Sequence, residues 1–325
     1  MMNKKDKIIV VLGPTASGKS GLAVKIALHL SSGQARKTFG INGIEIISAD
    51  SRQVYKGLDL GSGKVTKDLN SKLRIQSSEF YHQGIRHHLL DIASPKNRFT
   101  VAQYQKLAKK AIKKIIAKGK IPIICGGTAF YIYSLIYNWQ IPEVPPQKKL
   151  REKLEKKSIE ELFKQLKKLD PQRAKNIDKY NKRRLIRALE IVLITGKPNP
   201  HKSDLNQRTA TFDVLIIGIK KPKEELQKLI KIRLEKRLKQ GMIEEIKKLY
   251  QRGLTWKRLD ELGLEYRYIS YYLRELITKE KMIEILNQKT WQFSKRQMTW
   301  FKKDKIIKWI KNYKEAKKLV KNFLY

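Results

Sequence analysis

Apolar residues fall along this chain in short solid runs, separated by longer stretches of helical spacing, with little strict alternation. Residues 7–12 (KIIVVL) form the first run, which ends in a glycine-rich turn before a helical pattern from 19 to 30. Residues 44–50 (IEIISAD) and 120–127 (KIPIICGG) repeat the signal, the latter after a basic helical stretch at about 100–118. Solid runs alternating with helices predict strands buried on both faces, hence a parallel sheet with helices on each side. In such sheets ligands sit at the carboxyl ends of the strands. GPTASGKS, ADSRQ and GGT all follow strand ends, so the pattern predicts that they share one cleft. From Pro142 the character changes. IPEVPP reads as an extended linker, and the chain to about Pro200 is charged and helical without strand signals, until 212–219 (FDVLIIGI) returns to the sheet pattern. The expected organisation is an α/β core of 1–141 and 205–325 with a helical insertion of 142–204. No internal repeat is present.

Composition sharpens this in two places. The longest apolar runs fall far short of the roughly 18 residues that a membrane helix needs, so no membrane segment is expected. The basic-then-apolar start, MMNKKDKIIVVLG, imitates a leader but flows directly into the glycine-rich loop. A single cysteine, Cys125, allows no internal disulfide and fits a reducing cytoplasm. The 72 Lys and Arg against 30 Asp and Glu give a formal charge of +42, a field that attracts polyanions. Lys and Ile are abundant everywhere, as an AT-biased genome would produce. The charge therefore supports a nucleic-acid partner without identifying one.

Gly13-Pro14-Thr15-Ala16-Ser17-Gly18-Lys19-Ser20 fits the phosphate-loop pattern G-x-x-x-x-G-K-[ST] in full. Its glycines let backbone N–H groups converge on phosphate oxygens, Lys19 adds a point charge, and Ser20 can hold Mg²⁺. The pattern specifies a diphosphate or triphosphate ligand without distinguishing them. Asp50 can be read as a metal-shell ligand, a general base or a helix cap. Gly126-Gly127-Thr128 brings backbone and a hydroxyl to the same edge, as a plain strand-to-helix turn also would. His29, His82, His87, His88 and His201 show no metal-like spacing with Cys125, and the His87–His88 pair reads as structural. Arg183, Arg184 and Arg187 lie on one predicted helix, with Arg183 and Arg187 on a shared face. Residues 295–301 (KRQMTWF) interleave cations with aromatics, suiting phosphate contact plus base stacking or, equally, core packing.

Together these segments resemble the bacterial tRNA dimethylallyltransferases, also called tRNA isopentenyltransferases. The matching segments are GPTASGKS, ISADSRQVYKGLDLGSGK (47–64), HHLLDI (87–92), GGTAFYI (126–132), DP…A…N…RLIRALE (170–190), GLEYR (263–267) and KRQMTWF. The resemblance spans nearly the whole chain. It implies a P-loop core with an inserted helical domain, acting as a monomer in the cytoplasm on the anticodon stem-loop of tRNA. The donor would be dimethylallyl diphosphate, held with Mg²⁺ by residues 13–20. Lys19, Asp50 and Thr128 would carry the chemistry, Asp50 as base. Ser51, Arg52, Gln53 and Thr128 would face the target nucleotide, and Arg183, Arg184, Leu185, Ile186 and Arg187 would grip the RNA backbone. The acceptor would be the adenosine 3′ of the anticodon in tRNAs reading codons that begin with U. Where the family usually has arginine before KRQ, this chain has Trp291, and Lys295 is the expected compensating cation. Competing readings are an ATP-dependent kinase, prenylation of free adenine nucleotides, and a nucleotide-hydrolysing RNA-binding switch.

Overall fold

The computed structural model describes residues 6–68, 79–198 and 212–325; the start of the chain, His201 and the 204/205 boundary lie outside them. The chain divides into two compact units, Met1–Ile136 with Ala210–Tyr325, and Tyr137–Thr209.

The first unit is built on a seven-stranded sheet among the described residues. Its strands are β1 (Asp6–Leu12), β2 (Ile44–Ser48), β3 (Phe80–His82), β4 (Ile85–His88), β5 (Ile121–Gly126), β6 (Phe212–Ile219) and β7 (Lys308–Ile310), in the order β3-β4-β2-β5-β1-β6-β7. Every pairing is parallel except that between β3 and β4. All of β2 and β5, and β1 from Ile8 onward, are buried, which is why their sequences are solid rather than alternating. Ile9, Val11, Ile46 and Ile123 face α1 (Lys19–Leu30) in one core. By strand alternation Ile8, Val10, Ile47 and Ile124 face the other side. There α3 (Val101–Ile116) lies on β2 and β5, burying Tyr104, Ala108, Ile112 and Ile115 at helical spacing. A reciprocal cap between Thr100 and Gln103 starts this helix. Tyr104 stacks at 3.8 Å on Tyr131 of α4 (Ala129–Ile136), which follows β5.

Three details differ from the sequence expectation. β2 stops at Ser48 rather than Asp50, freeing Ala49 and Asp50 to turn over the sheet edge. The β3–β4 hairpin and β7 have three or four residues each, too short to show a period. The hairpin also explains the paired histidines. His87 is buried, and burial pulls its imidazole down to about 4, so it stays neutral. His88 meets Glu45 at 2.6 Å, and Glu45 also takes Lys120 at 2.8 Å.

In the second unit α5 (Lys148–Glu155), α6 (Ile159–Leu169), α7 (Pro171–Asn176) and α8 (Lys182–Thr195) pack Leu154, Leu162, Leu166, Leu185 and Leu189 into a core of their own. Local chemistry sets these helix starts: a Ser158–Glu161 capping box, Asp170 capping ahead of Pro171, and Asn181 capping α8. The remaining helices of the described residues belong to the first unit: α2 (Gly33–Phe39), α9 (Lys223–Lys239), α10 (Met242–Gln251), α11 (Trp256–Leu262), α12 (Leu264–Leu273), α13 (Lys279–Phe301) and α14 (Tyr313–Leu324).

Candidate active site

Leu12 pairs with Gly126 of β5, and Ser48 with Cys125, so the carboxyl ends of β1, β2 and β5 are level. The three segments expected to share a cleft therefore line one cavity of about 650 Å³, with Lys19, Ser20, Asp50, Arg52 and Thr128 among its walls. The phosphate loop wraps one end. Gly18 takes a left-handed φ of 89° to enter α1, and Ala16 does the same at 62°, an uncommon conformation for a residue with a Cβ. A Cβ at Gly13 would sit 2.7 Å from Ser17 Oγ, so the loop closes tightly on itself. Neither a side-chain cap nor an acidic residue occupies the first turn of α1, which leaves its N–H groups available to an anion.

The second wall is stitched together by GGT. Gly126 passes so close to the Ala49 carbonyl that any Cβ would overlap it. Thr128 donates its backbone N–H to Ala49 O at 3.1 Å, and its Oγ1 accepts the Ser51 N–H at 3.0 Å. Thr128 thereby fixes the turn that carries Asp50. Asp50 Oδ1 accepts the Arg52 N–H at 2.8 Å. The carboxylate caps a turn here, and the helix-cap reading falls because no helix follows it. Gln53 does not stand free: its Oε1 accepts from Ser48 Oγ at 3.1 Å and its Nε2 donates to Gly63 O at 3.2 Å.

The third wall comes from far along the chain. Gln297 on α13 accepts the Thr15 N–H at 2.8 Å and donates to Gly127 O at 2.9 Å, tying the phosphate loop to GGT. Arg233 on α9 donates to Thr15 Oγ1 at 3.3 Å. The sequence pointed to Gln297 only as a member of the 295–301 segment, and to Arg233 not at all. For Gln297 a signal existed: it is a polar residue within the buried stripe of α13, with Met282, Leu286 and Phe301. In the same segment Phe301 is core, while Trp300 is exposed beside Phe130 and Tyr133. The expectation for Lys295 is corrected. Its ammonium lies 5.8 Å over the Trp291 ring, and neither residue lines the cavity, whose cations are supplied by Lys19, Arg52, Arg233, Lys236, Arg267 and Arg296.

Burial, and then the charge of Arg233, lowers Lys19 from the ordinary lysine range, with Asp50 and Cys125 opposing. Arg233 is lowered by burial and by Arg237. Buried cations held under the charge of a neighbouring guanidinium form a site whose electrostatics a bound polyanion would relieve. Cys125 beneath them is pushed up to about 11 by burial, so it remains a thiol. Ser20 and Asp50 bring hard oxygen ligands to the same cavity, and no cluster of three His, Cys, Asp or Glu exists among the described residues. This sparse donor set fits Mg²⁺, which keeps waters and phosphate oxygens in its shell.

On α8 the five expected RNA-contacting residues divide. Arg183 and Arg184 are exposed. Leu185 and Ile186 are core, and their side chains can only hold the helix in place. Arg187 turns inward, donating to Val144 O at 3.0 Å and to the buried Glu190 at 2.6 Å, so it does not share an outer face with Arg183.

Fold and cavity define a P-loop α/β protein with a cationic cleft facing a carboxylate. The family model for IPP transferase matches residues 53–304. The chain is 38% identical over 305 residues to a tRNA dimethylallyltransferase of Anoxybacillus flavithermus, covering 94% of this chain and 90% of that one. It is 36% identical to one of Acetivibrio thermocellus, covering 98% and 97%. Among solved structures it is similar to a tRNA isopentenylpyrophosphate transferase of Bacillus halodurans, with TM-score 0.65, 29% identity and coverage of 99% and 97%. It is also similar to a eukaryotic dimethylallyltransferase acting on tRNA, with TM-score 0.68, 28% identity and coverage of 91% and 69%. The chain belongs to the IPP transferase family. No helix of the described residues is long and apolar enough to cross a membrane.

Proposed function

We propose that this protein transfers a dimethylallyl group from dimethylallyl diphosphate to the exocyclic amine of the adenosine 3′ of the anticodon. The tRNAs are those reading codons that begin with U, and the products are isopentenyladenosine and diphosphate. The observation that carries this reading is the placement of two buried cations at the phosphate loop, Lys19 and Arg233, in one cavity with Asp50.

In this reading residues 13–20 hold the donor diphosphate, with N–H groups from the loop and α1 supplementing Lys19. As the C1–O bond breaks, charge gathers on the leaving diphosphate, and these groups stabilise it. The amine of adenine is a weak nucleophile because its lone pair is conjugated into the ring. Asp50 takes its proton as the N–C bond forms. The base must leave its stack to reach the cavity, where Ser51, Arg52, Gln53 and Thr128 would receive it. Mg²⁺ held by Ser20 would supply further charge neutralisation on the diphosphate. Arg183 and Arg184 would grip the stem-loop backbone, with the protein a cytoplasmic monomer.

Incubation with total tRNA and labelled dimethylallyl diphosphate, with and without ATP, tests the proposal. Label transferred to RNA without ATP is the expected result. Label on free adenine nucleotides only, or phosphate transfer that requires ATP, would overturn it.

A further inference from the structure

Residues 58–64 (LDLGSGK) cross the cavity wall without helix or strand, and Gly61, Ser62 and Gly63 line the same space as Lys19 and Asp50. A backbone that leaves regular structure must find partners for its N–H and C=O groups elsewhere. Gly63 and Lys64 donate their N–H groups back to Leu60 O and Asp59 O within the turn, and two distant side chains supply most of the rest. Glu245 on α10 accepts three consecutive N–H groups: Asp59 at 3.1 Å and Leu60 at 2.6 Å through Oε2, and Gly61 at 2.9 Å through Oε1. Arg237 on α9 donates from Nε to Leu60 O and from Nη2 to Gly61 O. The guanidinium is further paired with Glu265 at 3.1 Å, and Tyr266 donates its hydroxyl to Glu245 Oε1 at 3.2 Å. The Tyr266 ring lies so close to Gly61 that a Cβ there would overlap it. Arg237 and Glu245 flank the short turn between α9 and α10, where Gly241 has φ 96°, so the two jaws are fixed to each other.

This turn leads directly to the reaction centre. Gly63 O accepts from Gln53 Nε2 at 3.2 Å, and Gly63 lies against the Arg233 guanidinium so tightly that a Cβ would collide with Nη2. Arg233 in turn reaches Thr15 of the phosphate loop. Nothing in such geometry is needed merely to fold α9. Its buried stripe is Leu226, Ile230, Leu234 and then Arg237, a charged residue where burial favours an apolar one.

We infer that Glu245 and Arg237 are positioning residues for prenyl transfer. They set the height of the 58–64 turn and, through Gly63, the placement of the Gln53 amide and the Arg233 guanidinium. This rests on the proposed function above. An amide cannot replace the carboxylate, because glutamine offers one oxygen and turns its own N–H₂ toward the third N–H.

The test is Glu245→Gln in the full chain, read by hydrogen exchange, by dissociation constants for tRNA and donor, and by single-turnover transfer at saturating substrates. The amides of Asp59, Leu60 and Gly61 should exchange faster while the sheet stays protected. Transfer should fall by about 10²-fold, the typical cost of an ångström-scale misplacement. Both dissociation constants should stay within about threefold, since the lost alignment matters in the transition state. If Glu245→Gln does not fold, Arg237→Lys keeps the carboxylate and removes only the fork on the two carbonyls, and the same rate loss is expected. Exposed amides with transfer within twofold of the wild-type protein would overturn the inference, as would amides that stay protected. A wild-type protein that prenylates no tRNA would overturn the proposed function first and this inference with it, and so is distinguishable from failure of the clamp alone.

Discussion

Arg187 and Arg184 stand three residues apart on one basic helix, yet the structure gives them opposite work. Arg187 has lost its freedom to Glu190, which is fully buried and also takes Arg151 Nε at 2.7 Å, Arg151 Nη2 at 2.6 Å and the Gln147 N–H at 2.7 Å. Arg187→Ala would leave Glu190 its Arg151 partner, so the carboxylate is not stranded. What disappears is one hydrogen bond to a charged group, worth about 1.5–3 kcal/mol, and one to the Val144 carbonyl. Discounting for the partial exposure of the guanidinium, the expected loss is about 1–2 kcal/mol of stability. Among the described residues the Arg184 side chain pairs with Asp178 alone, at 3.7 Å between exposed side chains, a pair worth little. Arg184→Ala should leave stability within about 0.5 kcal/mol of wild type. Urea denaturation measures the first quantity; the dependence of tRNA affinity on salt measures the second role. Loss of one phosphate contact should shallow the slope of log K against log salt by about one for Arg184→Ala and leave it unchanged for Arg187→Ala. An Arg187→Ala protein with wild-type stability and a shallower slope would refute this division.

Asp50→Asn keeps the acceptor for the Arg52 N–H but cannot take the amine proton, so single-turnover transfer should fall by roughly 10²–10⁴ with tRNA and donor affinities little changed; weakened donor binding rescued by extra Mg²⁺ would show a metal-shell role instead. Lys19→Ala should lower transfer by on the order of 10²–10³ while leaving tRNA affinity intact, and full activity in a filter assay would remove the phosphate loop from the mechanism. Acid should destabilise both units. Burial works against the charges of Glu45 and Glu190, but hydrogen bonds from His88 and Lys120, and from Arg151, Gln147 and Arg187, hold each carboxyl at about 2. A depressed carboxyl stabilises the fold fully above its unfolded value and loses that contribution as pH falls toward the folded one. The loss belongs between roughly pH 5 and 2, at most about 3 kcal/mol for each group. Glu45→Gln should flatten that part of a urea-midpoint profile, and an unchanged profile would sink the assignment.

Much of this protein is written locally. Strands buried on both faces must be solidly apolar, so β1, β2, β5 and β6 were visible as runs, and a parallel arrangement brings their carboxyl ends to one edge. That alone puts the phosphate loop, Asp50 and Thr128 beside one another, because each sits within a few residues of a strand end. Helix starts at Ser158, Asp170 and Asn181 were equally local, since a cap reads only the next turn. What lay beyond the sequence were partners separated by long stretches of chain. Gln297 and Arg233 meet Thr15 from 282 and 218 residues away, and Glu245 meets Leu60 from 185. A polar residue on a basic helix looks the same whether water or a backbone carbonyl receives it. Only packing decides, by choosing which face of the helix is turned inward. Arg187 was expected at the RNA for that reason, and Arg184 beside it does face outward. The polar interruptions at Gln297 and Arg237 in largely apolar buried stripes mark places where the tertiary structure has a use for a hydrogen bond. Helical period can point to such interruptions, but only the folded chain supplies what they hold.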